Sequence, residues 1–522
     1  VNAQLEAIGK RLFAGDASLW PADAAAVRNR LGWLSVIEPM RAQAGELRAF
    51  AEEIRAAGYR RALLLGMGGS SLCPEVLRRS FGVPSGATDL RVLDSTVPAA
   101  VLEADAWSRE AKTLFIVASK SGTTIEIQSF ARTFASRGAE HFVAITDPKT
   151  ALEAQARREG FRRVFLNPAD IGGRYSALSF FGMVPAALLG IDVEKFLTRA
   201  ADMARADGPA VELGGLLHEA QARGRDKLTL VLEPPVESLG SWIEQLVAES
   251  LGKEELGILP VDGETPGEAH VYGPDRLFAC LGCGDEARRL ARSGLAVIRF
   301  SAAKPEDLGR EFLRWEIATA VAGALMKVNP FDEPNVRESK EATAAMLAGG
   351  FPDEAPVVEE SGVRLYADPR LEASGGLREW LTAHLGRARP GDYVAWLAYL
   401  PRTGAIDAEL QAMRRAVRDR MGMATTIGYG PRYLHSTGQI HKGGPNTGVF
   451  LMITADDAAE LPIPGEPYGF ARLKQAQALG DFVSLARRER RVVRCHLAGD
   501  ALAGLRALRG HVEAIVASPA TG

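Results

Sequence analysis

Cysteine is scarce: the 522 residues contain four, Cys73, Cys280, Cys283 and Cys495. Four are too few for a disulfide framework and fit a reducing compartment. A chain of this length buries about three quarters of its unfolded surface and needs neither disulfide nor metal staple. Cys280-Leu-Gly-Cys283 has C-x-x-C spacing, but no second pair and no histidine pair at zinc spacing accompanies it. Set beside the apolar run Leu277–Leu281, it reads as strand packing rather than redox or metal chemistry. A membrane-spanning run is lacking too. The longest apolar stretch, Ala177–Ile191, is broken by Ser179 and Pro185 and is shorter than the roughly 20 residues a span requires. Val1–Asp16 reads as an amphipathic helix rather than the apolar core of a signal peptide. A cytoplasmic protein without a membrane partner is therefore expected. Nor is there an excess of one charge: 62 basic and 65 acidic residues leave a net −3. Without a basic stripe a nucleic-acid partner is not expected, and the cluster Arg487-Arg488-Glu489-Arg490-Arg491 reads as a solvated helix end.

Glycine is plentiful, at 54 residues, which suits tight turns and close backbone approach to a ligand. The length predicts three or four domains. Residues 1–58 read as helical; Leu47, Phe50, Ala51 and Ile54 recur at helical spacing. Short apolar runs at Arg61–Leu65, Leu90–Leu93, Thr113–Ala118 and Phe142–Thr146 then alternate with helical stretches. This is the pattern of parallel βαβ units with right-handed crossovers. After a helical connection around 180–220 the alternation restarts, with strands at Leu228–Leu232, Gly257–Val261, Leu277–Leu281 and Leu295–Phe300. Helices are expected over Ser238–Gly252 and Asp307–Val328. Beyond a boundary at Gly349-Gly350-Phe-Pro352, further strands are expected at Tyr393–Tyr399, Gly448–Thr454 and Arg491–Cys495.

Six segments carry candidate chemistry. Gly66-Met-Gly68-Gly69-Ser70-Ser71 follows a strand and precedes a helix, where backbone N–H groups can meet an anion. It is neither a complete dinucleotide fingerprint nor a Walker loop, and turn chemistry alone would also account for it. Ser119-Lys120-Ser121-Gly122-Thr123-Thr124 sits likewise at a strand end. Its residues could be helix caps, but a helix needs one cap, not four hydroxyls, and a phosphate has three oxygens to satisfy. Gly172-Gly173-Arg174 offers a permanently charged guanidinium for an oxyanion, or a surface arginine at a turn. On the stretch Ser241–Lys253, Ser241 and Glu244 could form a capping box. Gln245 and Glu249 share one face four residues apart, either solvated or lining a cleft. Lys340 ends a proline-bounded stretch, Asn329-Pro-Phe-Asp-Glu-Pro-Asn-Val-Arg-Glu-Ser-Lys340. Two of the eight histidines, His435 and His441, lie six residues apart among glycines and hydroxyls, without metal-site spacing. They are candidates for acid–base work or for structural roles.

In this order GMGGSSL, SKSGTT, GGRYS, QLVAESLGK and NPFDEPNVRESK resemble the phosphoglucose isomerases over residues 60–348. The resemblance implies an α/β fold: two SIS-type three-layer αβα domains with parallel sheets, at 59–222 and 223–348. A helical N-terminal segment at 1–58 and an α/β C-terminal extension at 349–522 complete the expected organisation. It implies that Gly69, Ser70, Ser119, Lys120, Ser121 and Thr124 bind a sugar phosphate and that Gln245 contacts substrate. It further implies Glu249 as catalytic base, Arg174 as stabiliser of an enediolate, and Lys340 as a participant in ring opening. No metal or other cofactor is implied. Two departures stand out. Glu333 occupies the place of a glutamine in the usual Phe-Asp-Gln. The family's His-Ser-Met-Gly-Gln stretch has its counterpart at His435-Ser-Thr-Gly-Gln439, after the lysine, while the usual interval holds only His270. His435 is the expected ring-opening residue, with His270 as the alternative.

The last third, in GYGPRYLHSTGQIHKGGPNTGVFLMIT, resembles the isomerase half of bacterial transaldolase/phosphoglucose isomerase fusions. A free-standing relative and the isomerase part of a fusion both suit it. The resemblance implies a glycolytic and gluconeogenic isomerase that interconverts glucose 6-phosphate and fructose 6-phosphate. A homodimer is implied as well, because in such dimers the histidine reaches the neighbouring subunit's site. The alternatives are a dual glucose/mannose 6-phosphate isomerase and a non-catalytic SIS sensor of sugar phosphates.

Overall fold

The computed structural model of the chain describes residues 3–301, 304–352 and 354–517; Val1 and Asn2 of the first expected helix lie outside them. The N-terminal stretch is helical, from Ala3–Phe13 to Ala44–Ala56, and Leu47, Phe50, Ala51 and Ile54 are buried as their spacing predicts. Three sheets follow. The first holds β1 (Arg61–Leu65), β2 (Asp89–Leu93), β3 (Thr113–Ala118), β4 (Phe142–Thr146) and β5 (Arg163–Leu166), in the order β2-β1-β3-β4-β5, all parallel. The second holds β6 (Lys227–Leu232), β7 (Leu259–Val261), β8 (Arg276–Leu281) and β9 (Ala296–Phe300), in the order β7-β6-β8-β9, again parallel. The third holds β10 (Val358–Glu360), β11 (Val363–Ala367), β12 (Tyr393–Tyr399), β13 (Ala424–Tyr429), β14 (Gly448–Ala455) and β15 (Arg491–Leu497). Its parallel part runs β13-β12-β14-β15, and β11 and β10 add antiparallel pairings at one edge.

All three sheets share one winding rule. Among the parallel strands of each, the second in the chain pairs outside the first, and the third crosses to the first strand's other side. Each sheet therefore has a switch point, at β1/β3, β6/β8 and β12/β14, where an open parallel sheet leaves a crevice beyond its carboxyl ends. The C-terminal third repeats the architecture of the two preceding units.

Strand alternation builds the three layers. Ala62 and Leu64 of β1 enter one core and Leu63 and Leu65 another on the opposite face. In β12, Val394, Trp396 and Ala398 face one core and Tyr393, Ala395, Leu397 and Tyr399 the other. A strand covered on both faces is apolar throughout, which is why these segments read as continuous runs. Each large apolar side chain buried this way contributes about 1.5–3 kcal/mol. Cys280 lies in β8 and Cys283 just beyond it, both buried, and Cys283 Sγ donates to Val231 O at 3.2 Å. No helix among the described residues is long and apolar enough to cross a membrane.

Two local readings are corrected. The helix carrying Gln245 runs Leu239–Leu251 with Ser238 at its N-cap, so Ser241 and Glu244 form no capping box. Ser241 Oγ donates to Ser238 O at 3.0 Å, and Glu244 accepts from Ser436 Oγ at 3.3 Å. Burial, helped by the neighbouring Asp262 carboxylate, pushes Glu244 up to about 8. The basic cluster at the end of the helix Phe470–Arg487 is not simply solvated. Arg490 is buried and donates to Lys442 O at 2.6 Å and Gly444 O at 2.8 Å, and Arg491 pairs with Asp392 at 2.5 Å. These arginines tie β15 to the loop that follows the second histidine of the His435–His441 pair.

Candidate active site

A cavity of about 470 Å³ opens at the carboxyl ends of β1, β3 and β4, and all eleven residues expected to act line it: Gly69, Ser70, Ser119, Lys120, Ser121, Thr124, Arg174, Gln245, Glu249, Lys340 and His435. They come from all three sheet units. The first supplies the loops after β1 and β3 together with the turn Gly173–Tyr175. The second supplies the helix Leu239–Leu251 and the helix Val336–Gly349 that carries Lys340. The turn Arg432–His435 after β13 supplies the histidine.

Close backbone approach explains two of the glycines. A Cβ on Gly69 would lie 2.0 Å from Gly173 O, so the two loops touch only because position 69 carries no side chain. Gly68 has φ +53°, and a Cβ on it would meet Gln245 Nε2 at 2.8 Å and His435 Cβ at 3.0 Å. The β1 loop is thus shaped to admit residues of both other units.

The β3 loop gathers hydroxyls at the cavity wall. Ser119 Oγ accepts from Gly122 N at 3.1 Å, and Ser121 Oγ meets Thr123 Oγ1 at 3.0 Å. Thr124 occupies the N-cap of the ten-residue helix Ile125–Phe134, yet its side chain makes no capping bond. The helix start therefore lacks a side-chain cap, and negative charge is favoured at such a terminus. Lys120 pairs with Asp147 and donates to Ala169 O at 3.1 Å. Its ammonium thus offsets a carboxylate that would otherwise repel an anion.

At the other end sits Arg174, buried and heavily bonded. It donates through Nε to Ser250 Oγ at 2.9 Å, and through Nη2 to Pro330 O and Asp332 O, each at 2.8 Å. Through Nη1 it donates to Glu333 Oε2 at 3.1 Å. The same Nη1 lies 3.5 Å from Glu249 Oε1. Glu333, the residue in place of the expected glutamine, thus ties to the arginine beside the carboxylate expected to act as base. Burial, and next among the raising effects the Glu333 charge, push Glu249 up from the usual carboxylate range; Arg174, His435 and the Gln245 hydrogen bond oppose them. Gln245 Nε2 donates to Glu249 Oε2 at 3.1 Å and to His435 O at 2.7 Å, while its Oε1 is buried without a partner, free to accept from a ligand hydroxyl. The helix face shared by Gln245 and Glu249 is therefore a cavity wall, not a solvated face.

His435 stands in the cavity of its own chain. Its Nε2 lies 3.0 Å from Glu126 Oε1. Glu126, a residue that sequence reasoning passed over, lies in the first turn of the helix Ile125–Phe134, where an acidic side chain needs no further explanation than the helix dipole. Burial raises Glu126, but the His435 charge and hydrogen bond, its own backbone N–H and the Lys340 charge outweigh it and hold the carboxyl below the usual range. The His435 loop is pinned from several sides. Gln439 Nε2 donates to Gly252 O at 3.0 Å and Asn335 Oδ1 at 2.7 Å, and Tyr433 Oη donates to Asp481 at 2.6 Å. His441 is buried against Tyr393 Oη at 2.8 Å, where burial drives it well below the usual imidazole range, and it does not line the cavity. His270 is an exposed residue of the turn Ala269–Val271 and does not line the cavity. No group of three or more His, Cys, Asp or Glu among the described residues is arranged to hold a metal ion.

Comparison with known proteins accords with this geometry. The profile of the family described as "Phosphoglucose isomerase" matches residues 34–209. A glucose-6-phosphate isomerase of Rubrobacter xylanophilus is 30% identical over 369 residues, 57% of this chain and 84% of the relative. A glucose-6-phosphate isomerase of Thermosynechococcus vestitus is 29% identical over 55% of this chain, which spans 65% of that relative. A chloroplastic enzyme of the same name from Arabidopsis thaliana is 28% identical over 55% of this chain and is spanned over 57% of its length. Among solved structures, a hypothetical protein of Thermus thermophilus superposes with a TM-score of 0.59 at 26% identity, over 66% of this chain and 95% of its own. A glucose-6-phosphate isomerase of Chlamydia trachomatis shares the fold with a TM-score of 0.51 at 19% identity, over 67% of this chain and 85% of its own.

Proposed function

The chain belongs to the phosphoglucose isomerase family, and from that premise we propose that it interconverts glucose 6-phosphate and fructose 6-phosphate, a step of glycolysis and gluconeogenesis, through a cis-enediolate with Glu249 as base. The observation that carries the reading is the juxtaposition at one end of the cavity. A buried carboxylate with raised proton affinity lies 3.5 Å from a buried, permanently charged guanidinium, across from a hydroxyl-rich helix start.

The sugar phosphate docks through Ser119, Ser121 and Thr124, with the glycine loop at Gly69 and Ser70 beside them. Binding energy at this remote group orients carbons 1 and 2. His435, with Lys340 beside its Glu126 partner, moves the proton that opens the ring. Glu249 then removes the proton from carbon 2 and returns it to carbon 1, while charge on the enediolate oxygens is stabilised by Arg174. A base of raised proton affinity suits both halves, since it must take the proton and give it back near neutral pH. Gln245 Oε1 accepts from a substrate hydroxyl. The presence of Arg174, Glu249 and Lys340 together disfavours a silent sensor, which would need none of them. Fructose 6-phosphate turnover by the full chain, coupled to glucose-6-phosphate dehydrogenase, tests the reading. Steady reduction of the dinucleotide is expected, and its absence with folded protein overturns it.

A further inference from the structure

Glu126 Oε1 takes two hydrogen bonds. One is from His435 Nε2 at 3.0 Å; the other is from Gln477 Nε2 at 2.8 Å. Gln477 lies on the helix Phe470–Arg487 of the third unit, more than three hundred residues from Glu126, and is 2% exposed. Its amide is itself oriented. Thr96 Oγ1, fully buried just beyond β2, donates to Gln477 Oε1 at 2.7 Å. A hydroxyl can donate to the carbonyl end of an amide and not to its NH₂. The flipped amide would set a carbonyl oxygen against the Glu126 carboxylate, which only accepts, so Glu126 selects the donor-inward orientation and the Thr96 bond anchors the amide's carbonyl end.

We propose that Gln477, held by Thr96, is a positioning residue for ring opening: it fixes the Glu126 carboxylate, which in turn fixes the tautomer and ring plane of His435. An ionised carboxylate only accepts, so the bond to Glu126 requires the proton on Nε2 and leaves Nδ1 as the histidine's other working nitrogen. With Gln477 in place, Oε1 sits between two donors, one from a helix and one from the turn Arg432–His435, and has one orientation available. Without it the carboxylate is free to rotate away from His435. The helix that carries Gln477 also carries Asp481, one turn on, which accepts from Tyr433 Oη at 2.6 Å and pairs with Lys442 at 2.6 Å. One face of one helix therefore sets both the backbone of the histidine loop and the hydrogen-bond partner of the histidine. The third unit thus contributes more than the histidine itself. The groups facing Glu126 are His435, Gln477 and Lys340, with Tyr399 within its electrostatic reach.

This inference rests on the proposed role of His435, and its test separates the two. Q477L keeps the volume and removes the donor; Q477E tests the chemistry. In Q477E the introduced carboxyl, while protonated, still donates to Glu126, and two facing carboxyls share a proton well above the usual carboxylate range. As pH rises that proton is lost and the carboxylates repel. Q477L is expected to lower kcat for fructose 6-phosphate about tenfold or more across the pH range, with KM within about twofold, a part of what a general acid contributes. Q477E is expected to approach wild type at the acid end and to lose activity about tenfold toward about pH 9, as the shared proton leaves. The ¹⁵N signals of the His435 ring, assigned by their loss in H435A, are expected to report the Nε2–H tautomer in wild type and a mixture in Q477L. Wild-type kcat in Q477L, a Q477E profile that superposes on wild type, or an unchanged His435 tautomer overturns the proposal. Full turnover in H435A would instead overturn the role of His435 itself. Should Q477L fail to fold, T96V, which removes the anchor of the amide's carbonyl end, carries the same tautomer and kcat predictions at smaller amplitude.

Discussion

Replacing Glu333 by glutamine, the residue usual at this place in the family, should move the acid limb of the pH–rate profile downward. Glu333 Oε2 and Glu249 Oε1 both face Arg174 Nη1, at 3.1 and 3.5 Å. The two carboxylates are therefore no more than about 7 Å apart, a separation at which like charges repel by about 2.4 kcal/mol at an effective dielectric of 20 and about 0.6 kcal/mol in bulk water. The Glu333 side chain is 48% exposed, so screening places the effect toward the lower value, about 1 kcal/mol or roughly 0.7 of a pH unit. The sign follows from the chemistry. Glu249 must be ionised to accept the carbon-bound proton, from carbon 1 of fructose 6-phosphate or carbon 2 of glucose 6-phosphate, and the Glu333 charge raises its proton affinity. Removing that charge lets Glu249 ionise at lower pH, and Arg174, freed of one partner, acts on Glu249 in the same direction. The assay is kcat/KM for fructose 6-phosphate between pH 5 and 9, which reports groups of the free enzyme. An acid limb that stays in place in E333Q, or moves upward, refutes the electrostatic account of Glu249.

S121A together with T124A should raise KM for both sugar phosphates about tenfold or more while leaving kcat less affected, as expected for loss of remote phosphate contacts; an unchanged KM would place the phosphate elsewhere. H435A should lower turnover of fructose 6-phosphate at least a hundredfold, and H270A should leave it within about twofold, since His270 is exposed and outside the cavity; the reverse order would reassign the ring-opening group. Because His435 and Glu249 line the cavity of a single chain, mixing E249Q with H435A after co-refolding should restore no activity. Substantial recovery would mean that the histidine crosses between subunits.

How far the sequence carried depended on the kind of feature. The strands β1, β3, β4, β6, β8, β12 and β14 are legible because parallel strands buried on both faces are largely apolar runs. β13, Ala424-Thr-Thr-Ile-Gly-Tyr429, is an edge strand with hydroxyls and partly exposed residues, and β10 is a three-residue edge, so neither carries that signal. The loop Ser119–Thr124 stood out by an excess of hydroxyls over what capping requires, and it lines the cavity. The orientation of Gln245 and Glu249 was not legible. The helix Leu239–Leu251 is buried almost all round, and periodicity assigns a solvated face only to a helix that has one. Glu126 and Gln477 were invisible for another reason. Each is an ordinary helical residue by local pattern, and their meaning arises only when the third unit folds back onto the first. Arg490 likewise looked like one of a solvated cluster, and only the packing of β15 against the loop at Lys442–Gly444 turns it inward.

The central claim is that a cavity assembled from all three units performs proton transfer between adjacent sugar carbons, with Glu249 as the base. E249Q tests it most directly, because the substitution keeps the shape and the hydrogen-bonding position while removing the proton acceptor. The measurement is fructose 6-phosphate turnover by E249Q alongside calorimetric binding of the same sugar phosphate. Binding close to wild type with turnover reduced by at least a thousandfold is the predicted result; turnover within tenfold of wild type would contradict the account.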